Sequence, residues 1–377
     1  MIRNKAAWAA GFWSRGTAGR ETPQELFTLL YRAWLVAFAL KVLGSSWDVS
    51  WHFKWLRDDL APPHLLNSVG TAMVVALVII HGFTGYGADK VTLRLMQWGT
   101  GTFLIAVPLD LINHRVNGLD ITTWSPSHVL LYLGTALMIA GVIRGWYRGA
   151  PRDRWYVAGL TLLWVYFLEN LLFPDMQQEY GVLGIAAFDR GEPYAEPSLM
   201  KFAADQLGQP VGRDAFVNFA LPMPDWVYPM WGLGAAMAVL VVARRTVGAR
   251  WTATAVAGTY VAYRCLIWPL LVLGTFPPSA VPFYLVAGAV CVDLAFRAGR
   301  LPDWKRACAG AVLVTVGGYA GLYVQGELLV APPISYPSAV FTAVCLAMLW
   351  LLADRLFSGP SAAAQATAAR VSTTASP

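Results

Sequence analysis

Asp48, His52 and His64 are followed by a second set of the same three residue types, Asp110, His114 and His128. In each set the aspartate and the first histidine stand four residues apart. Residues at that spacing share one face of a helix, so both can aim at a single atom. The last histidine of each set opens the next apolar segment, just behind a proline (Pro62 or Pro126), and returns at similar depth. Each set therefore offers one carboxylate and two imidazoles, donors that suit copper, iron or zinc. A metal held by three side chains keeps a position open for substrate. The six residues are thus candidate catalytic groups as well as candidate ligands.

The two sets belong to an internal repeat. The ten residues from His64 align without a gap on the ten from His128, so Gly70, Thr71 and Ala72 match Gly134, Thr135 and Ala136. A fainter third copy puts Glu169 and Phe173 at the Asp-x-x-x-His positions, Pro224 and Trp226 at the Pro-x-His positions, and Gly232 in register. Pro278 and Pro337 are candidate starts of later copies. A single histidine at a membrane-helix end is more often an interfacial hydrogen-bonding residue than a ligand. Two matched sets in register are hard to derive from packing, and ionisable groups near the membrane interior are costly and usually functional.

The ordered spacing Asp-x(3)-His-x(11)-His, then Asp-x(3)-His-x(13)-His, resembles the C subunit of the particulate methane and ammonia monooxygenases over about residues 48–135. In that family an Asp/His/His set and a neighbouring Asn/His/His set from transmembrane helices form copper sites. The resemblance implies copper at Asp48, His52 and His64 and at Asp110, His114 and His128. The second set carries Asp where the family has Asn, and is the more anionic for it. The resemblance also implies companion subunits and a small apolar substrate. An external electron donor is expected, since the sequence carries no haem, flavin or iron–sulfur motif, and it has no cupredoxin-like extramembrane domain.

The elements that must position these residues are membrane helices. Of the 377 residues 57% are hydrophobic and 13% are charged, about half the charged share of a soluble domain. A bilayer core of about 30 Å takes roughly 20 apolar residues per helix. The sequence predicts ten such spans, near 27–47, 64–86, 95–114, 127–147, 155–174, 226–243, 252–274, 279–297, 307–326 and 339–357. The expected fold class is all-α, a polytopic membrane helical bundle. Trp124, Trp146, Trp155, Tyr156, Trp226 and Tyr228 fall at span ends, as in aromatic belts.

Orientation follows from the cations. With the N-terminus inside, nineteen of the 28 Lys and Arg residues fall in inner segments. The outer loops hold only Lys54, Arg57, Arg115, Arg190, Lys201 and Arg213. Both termini are then cytoplasmic and both Asp/His/His sets face outside. The net charge of +6 reads as a topology signal, with no nucleic-acid partner expected. The outer side suits copper supply, whereas a di-iron desaturase would hold its ligands inside and need more than five histidines.

Residues 1–25 are expected as a cytoplasmic segment without a cleavable signal, and 26–147 as a four-helix half carrying the repeat. Six further spans occupy 148–358, with an outer loop at 175–225 folding over the membrane surface, and 359–377 reads as a disordered tail. The four cysteines form no CxxC pair and read as small apolar residues. His81 lies about 25 Å along its helix from His64, outside the site. Lys41, two turns before Asp48, is a counter-charge or a proton relay. Glu169 and Asn170 support the site or make ordinary helix–helix hydrogen bonds. Arg264, in mid-span, is expected to pair with Glu327 or Asp293. Asp120, Trp124 and Ser125 are expected above His128, and Trp47, Trp51 and Trp55 as interface anchors.

The leading expectation is a copper-dependent membrane oxidase or monooxygenase, or a subunit of one, whose apolar or small substrate arrives from the lipid bilayer. A zinc-dependent membrane hydrolase, in which the ligands activate water, is the alternative. A metal transporter or sensor ranks third. A transit path needs polar residues continuing inward, and only His81 and Lys41 offer them early in the chain.

Overall fold

The computed structural model describes residues 11–56, 60–117, 122–297 and 301–357. The sequence expectations for residues 1–10, Arg57, Asp120, Arg300 and the tail 359–377 fall outside the described residues. The chain forms α1 (Gln24–His52), α2 (Pro62–Thr84), α3 (Lys90–Asn117), α4 (Pro126–Gly149), α5 (Arg154–Asp189), α6 (Pro197–Leu207), α7 (Arg213–Ala220) and α8 (Val227–Val247, with a π turn at Trp231–Ala235). There follow α9 (Thr252–Leu273), α10 (Tyr284–Arg297), α11 (Asp303–Leu328) and α12 (Ser338–Phe357). The fold is all-α, with no strand among the described residues.

Among the described residues nine helices are long and apolar enough to cross a membrane. Large apolar side chains such as Leu273, Val316 and Val340 remain exposed on them, as lipid-facing surfaces do. The chain is a multi-pass bundle of membrane helices. One of the ten expected spans departs from this. The stretch 279–297 is helical only as α10, 14 residues long, or about 21 Å against a core of about 30 Å. Pro277, Pro278 and Pro282 lie just before it, and proline has no backbone N–H to give to a helix.

A second departure concerns Pro174. The fifth span was expected to end there, but α5 runs through it to Asp189 as a 36-residue helix. An internal proline removes one backbone hydrogen bond and bends a helix without necessarily stopping it. Here Thr123, from the α3–α4 connection, donates from Oγ1 to the Pro174 carbonyl at 2.8 Å. The first part of the expected outer loop is therefore helical. The rest folds into α6 and α7, whose Leu199, Ala203, Phe216 and Phe219 pack with Phe53 and Tyr180.

The repeat is a pair of helix hairpins, α1 along α2 and α3 along α4. Glycine sets the closeness of each. A Cβ on Gly70 of α2 would stand 2.8 Å from Ala37 O and from Lys41 Cγ in α1. A Cβ on Gly134 of α4 would stand 2.7 Å from Phe103 N and 2.9 Å from Gly99 O in α3. Ala37 and Lys41 precede Asp48 by the same intervals as Gly99 and Phe103 precede Asp110. Both hairpins thus hold one register, and that register sets Pro-x-His opposite Asp-x-x-x-His.

At the end away from those residues a tight link, 85–89, joins the hairpins. Tyr31 OH donates to Gly87 O at 2.9 Å, and Trp34 Nε1 donates to His81 Nε2 at 3.0 Å. The other ring nitrogen of His81 then donates to Tyr86 O at 2.7 Å. His81 is a buried structural residue. Asp89 accepts from Thr92 N at 2.8 Å and pairs with Arg144 at 3.1 Å and Arg148 at 3.6 Å. Burial works against this carboxylate, but the Thr92 bonds and the two guanidiniums outweigh it and hold its pKa below the usual value. A lowered carboxyl adds stability above its ordinary titration range and loses it as pH falls through the folded value. Asp89→Asn is therefore expected to melt earlier than wild type at neutral pH. The two melting temperatures should converge below about pH 4.

Candidate metal centre

Each hairpin brings its three residues together at one end. His52 is the last residue of α1 and His64 the third of α2. Asp48 Oδ1 lies 2.8 Å from His64 Nε2 and 3.4 Å from His52 Nε2. In the second set His114 Nδ1 stands 3.5 Å from Asp110 Oδ2, and His128 Nε2 stands 3.5 Å from Asp110 Oδ1. Ser125 caps α4 by accepting from His128 N at 3.4 Å, which fixes the turn that carries the histidine. In both sets one donor atom per residue lies within 4.8 Å of the others.

These separations fit a metal ion. Bonds of about 2.0–2.2 Å from metal to nitrogen or oxygen put neighbouring donor atoms about 3–3.5 Å apart. The carboxylate–imidazole separations of 2.8–3.5 Å are close to that size, and the donors are imidazole and carboxylate, which suit copper, iron and zinc.

Both triads line one cavity of about 800 Å³. Leu199 and Phe202 of α6 and Phe219 of α7 close it over at the triad end. Its side wall is less tightly packed. The hairpins pack tightly within themselves, while α2 and α3 touch sparsely. Ser68 and Ala72 of α2 and Leu104 and Val107 of α3 line the cavity and are also exposed on the outside of the bundle. The seam between α2 and α3 is therefore a loosely packed part of the cavity wall, where a lateral entrance from lipid would lie.

Deeper in, the cavity is lined by Lys41, Asn67 and Thr71 on one side and Glu169 and Asn170 of α5 on the other. Lys41 Nζ donates to Asn67 Oδ1 at 2.8 Å and to Thr71 Oγ1 at 3.1 Å. It also lies 3.8 Å from the centroid of the Phe103 ring. Lys41 and Phe103 are equivalent positions of the two repeat copies, so the hairpins meet face to face across the cavity. Asn170 Nδ2 donates to Tyr132 O at 3.1 Å.

Several expectations need correction. Arg264 pairs with neither Glu327 nor Asp293. Its Nη2 meets Glu179 Oε2 at 2.6 Å and Ser279 Oγ at 2.7 Å, and its Nη1 donates to Tyr260 OH at 2.6 Å. Asp293 belongs to Arg244, at 3.2 Å. Glu179 lies on the part of α5 beyond Pro174, which the sequence reads as loop, so this partner was hidden. Trp47, Trp51 and Trp55 all pack on Phe276, with ring centroids 5.7, 5.8 and 5.2 Å away. Trp55 also lines the cavity and donates to the Glu196 carboxylate, so its role exceeds that of an anchor. Trp124 packs edge-on against Trp231. Asn67, Thr71, Tyr132 and Thr135 line the cavity without having been singled out. The repeat signals only Thr71 and Thr135, which it matches with each other; it pairs Asn67 with Leu131 and Ser68 with Tyr132.

No protein-family model, curated protein or solved structure matches the chain.

Proposed function

We propose that the chain is a copper-dependent membrane oxidase or monooxygenase, or a subunit of one, acting at Asp48/His52/His64 and Asp110/His114/His128. The observation that carries this reading is the pair of triads lining one cavity whose wall is loosely packed between α2 and α3. Copper held there would supply redox cycling and an open position for dioxygen. His52, His64, His114 and His128 would hold the ion, and Asp48 and Asp110 would offset its charge. The glycine-set hairpins hold the donors at fixed depth, and α6 and α7 keep bulk water off the triad end. The cavity holds an apolar or small substrate that has come through the seam from the lipid bilayer. Electrons come from an external donor, with companion subunits as the natural source. The charge asymmetry of the loops supports cytoplasmic termini and triads near the outer face.

The spacing resemblance to the monooxygenase C subunit favours copper over zinc, and the loosely packed seam favours a lipid-soluble substrate over the water-soluble one of a zinc hydrolase. Metal content of purified protein tests this, with wild type beside His52→Ala and His114→Ala. Copper is expected in wild type, each variant losing the ion of its own triad. Zinc lost in the same pattern would establish the hydrolase reading instead. Well-folded wild type that binds no metal would leave the repeat as a scaffold.

A further inference from the structure

We infer that the part of the cavity around Lys41 and Glu169 is a binding subsite for the hydroxyl group of an aliphatic alcohol, whose chain runs toward the triads. Lys41 and Glu169 are 5% and 3% exposed, and both line the cavity. Neither has a salt-bridge partner among the described residues. Lys41 gives hydrogen bonds only to neutral Asn67 and Thr71, and Glu169 Oε1 accepts none among the described residues. Glu169 feels the fields of Arg264 and of Lys41 without an ion pair to either among the described residues. Arg264 and Glu179, elsewhere in the same bundle, show what a completed buried pair looks like, at 2.6 Å. A buried charge lacking a direct partner is strongly unfavourable, and the space between Lys41 and Glu169 belongs to the cavity.

The group that completes this arrangement must accept from an ammonium and donate to a carboxylate. A hydroxyl does both, since it carries one donor hydrogen and two acceptor lone pairs. Two of the three ammonium protons of Lys41 are taken by Asn67 and Thr71, leaving the third for the ligand oxygen. A carboxylate ligand would be repelled by Glu169, and an alkylammonium by Lys41. An alkane would leave both charges unpaired, and sites built to hydrogen-bond a hydroxyl reject analogues that lack it.

The rest of the cavity suits an alkyl chain. Val42, Val107 and Leu111 line it between Lys41 and the triads, Phe103 lies level with Lys41, and Phe38 and Val75 line it beyond. Lys41 precedes Asp48 by seven residues of α1, about 10 Å of helix. A zigzag chain at about 1.2 Å per bond covers that in roughly eight bonds, the size of 1-octanol. That the far end of the chain meets a metal rests on the function proposed above, whereas the subsite itself does not.

The test is displacement of radiolabelled 1-octanol from protein in lipid nanodiscs, with empty nanodiscs subtracted, in both chelator-treated and metal-loaded protein. Unlabelled 1-octanol is expected to compete on the order of tenfold better than octanoate, octylammonium or octane. Glu169→Gln keeps the side-chain shape and removes the repulsion. It is expected to admit octanoate about tenfold better while octanol competes much as before. Lys41→Met, checked for folding by its melting temperature, is expected to lose octanol binding. Octane competing as well as octanol would overturn the inference, as would octanoate discrimination unchanged in Glu169→Gln. Selective octanol binding by a protein that binds no metal would keep the subsite and sink the copper reading. Metal binding without octanol selectivity would do the reverse.

Discussion

Gly134→Ala is expected to weaken metal binding at Asp110, His114 and His128 by about 10–100-fold, the size seen when residues supporting a metal's ligands are changed, although no ligand is touched. The new methyl would lie 2.7 Å from Phe103 N and 2.9 Å from Gly99 O. Both are backbone atoms of α3, so no side chain can swing aside, and α4 itself must move outward. His128 rides on α4, two turns ahead, while Asp110 and His114 stay on α3. A constellation of ligands tolerates about 0.5 Å of displacement, so the triad loses its common focus. Overpacking should also lower stability by about 1–3 kcal/mol. Gly70→Ala is expected to do the same to the first triad. Gly101→Ala is the control, because nothing lies within 4 Å of its Cβ position. It should hold metal as wild type does. Chelator competition on the three proteins decides the matter, and equal metal retention by Gly134→Ala and Gly101→Ala would show that the hairpin contact does not set the site.

The largest loss of stability is expected for Arg264→Met, about 3–5 kcal/mol. The guanidinium and the Glu179 carboxylate are 2% and 3% exposed. Tyr228 OH also donates to Glu179 Oε1 at 3.0 Å, so the carboxylate is held in place by two neighbours. Removing the cation leaves that carboxylate buried beside Asp175, which is itself fully buried on the same helix. Removing the charge from both partners, as Arg264→Met with Glu179→Gln, leaves neither member of this pair as a lone ion. The double variant is expected to recover most of the loss, since replacing both partners of a buried pair is far milder than breaking it. Reversible unfolding in mixed micelles would measure the difference. A single variant as stable as the double one would mean that Glu179 finds another partner.

The two triads were legible because their geometry is local. Four residues along a helix, or one short loop between helices, place Asp48 beside His52 and His64, and the repeat confirmed the pattern within the sequence itself. The all-α polytopic fold was legible for the same reason, since run length and composition are properties of single segments. Contacts that cross the bundle were hidden. Arg264 meets Glu179 because α5 continues past a proline, and a sequence shows the proline without showing that the helix will run on beyond it. The span at 279–297 looked long enough by composition, but the prolines at 277, 278 and 282 shorten its helix to α10. The face-to-face meeting of Lys41 with Phe103 needed the arrangement of the two hairpins, which no single segment encodes.

The seam between α2 and α3 also decides what the protein can recognise. A molecule passing through it comes from hydrocarbon and arrives in a cavity walled largely by hydrocarbon. Burying a methylene from water contributes about 0.8 kcal/mol, but that gain is complete once the molecule has dissolved in the membrane, where lipid tails are as apolar as leucine. Against the bilayer as solvent, chain length adds little to affinity up to the length of the cavity, and selection falls to the few polar groups that the membrane cannot satisfy. For a ligand entering by that route, the lipid would set its local concentration, and the protein would distinguish one ligand from another by the polar end.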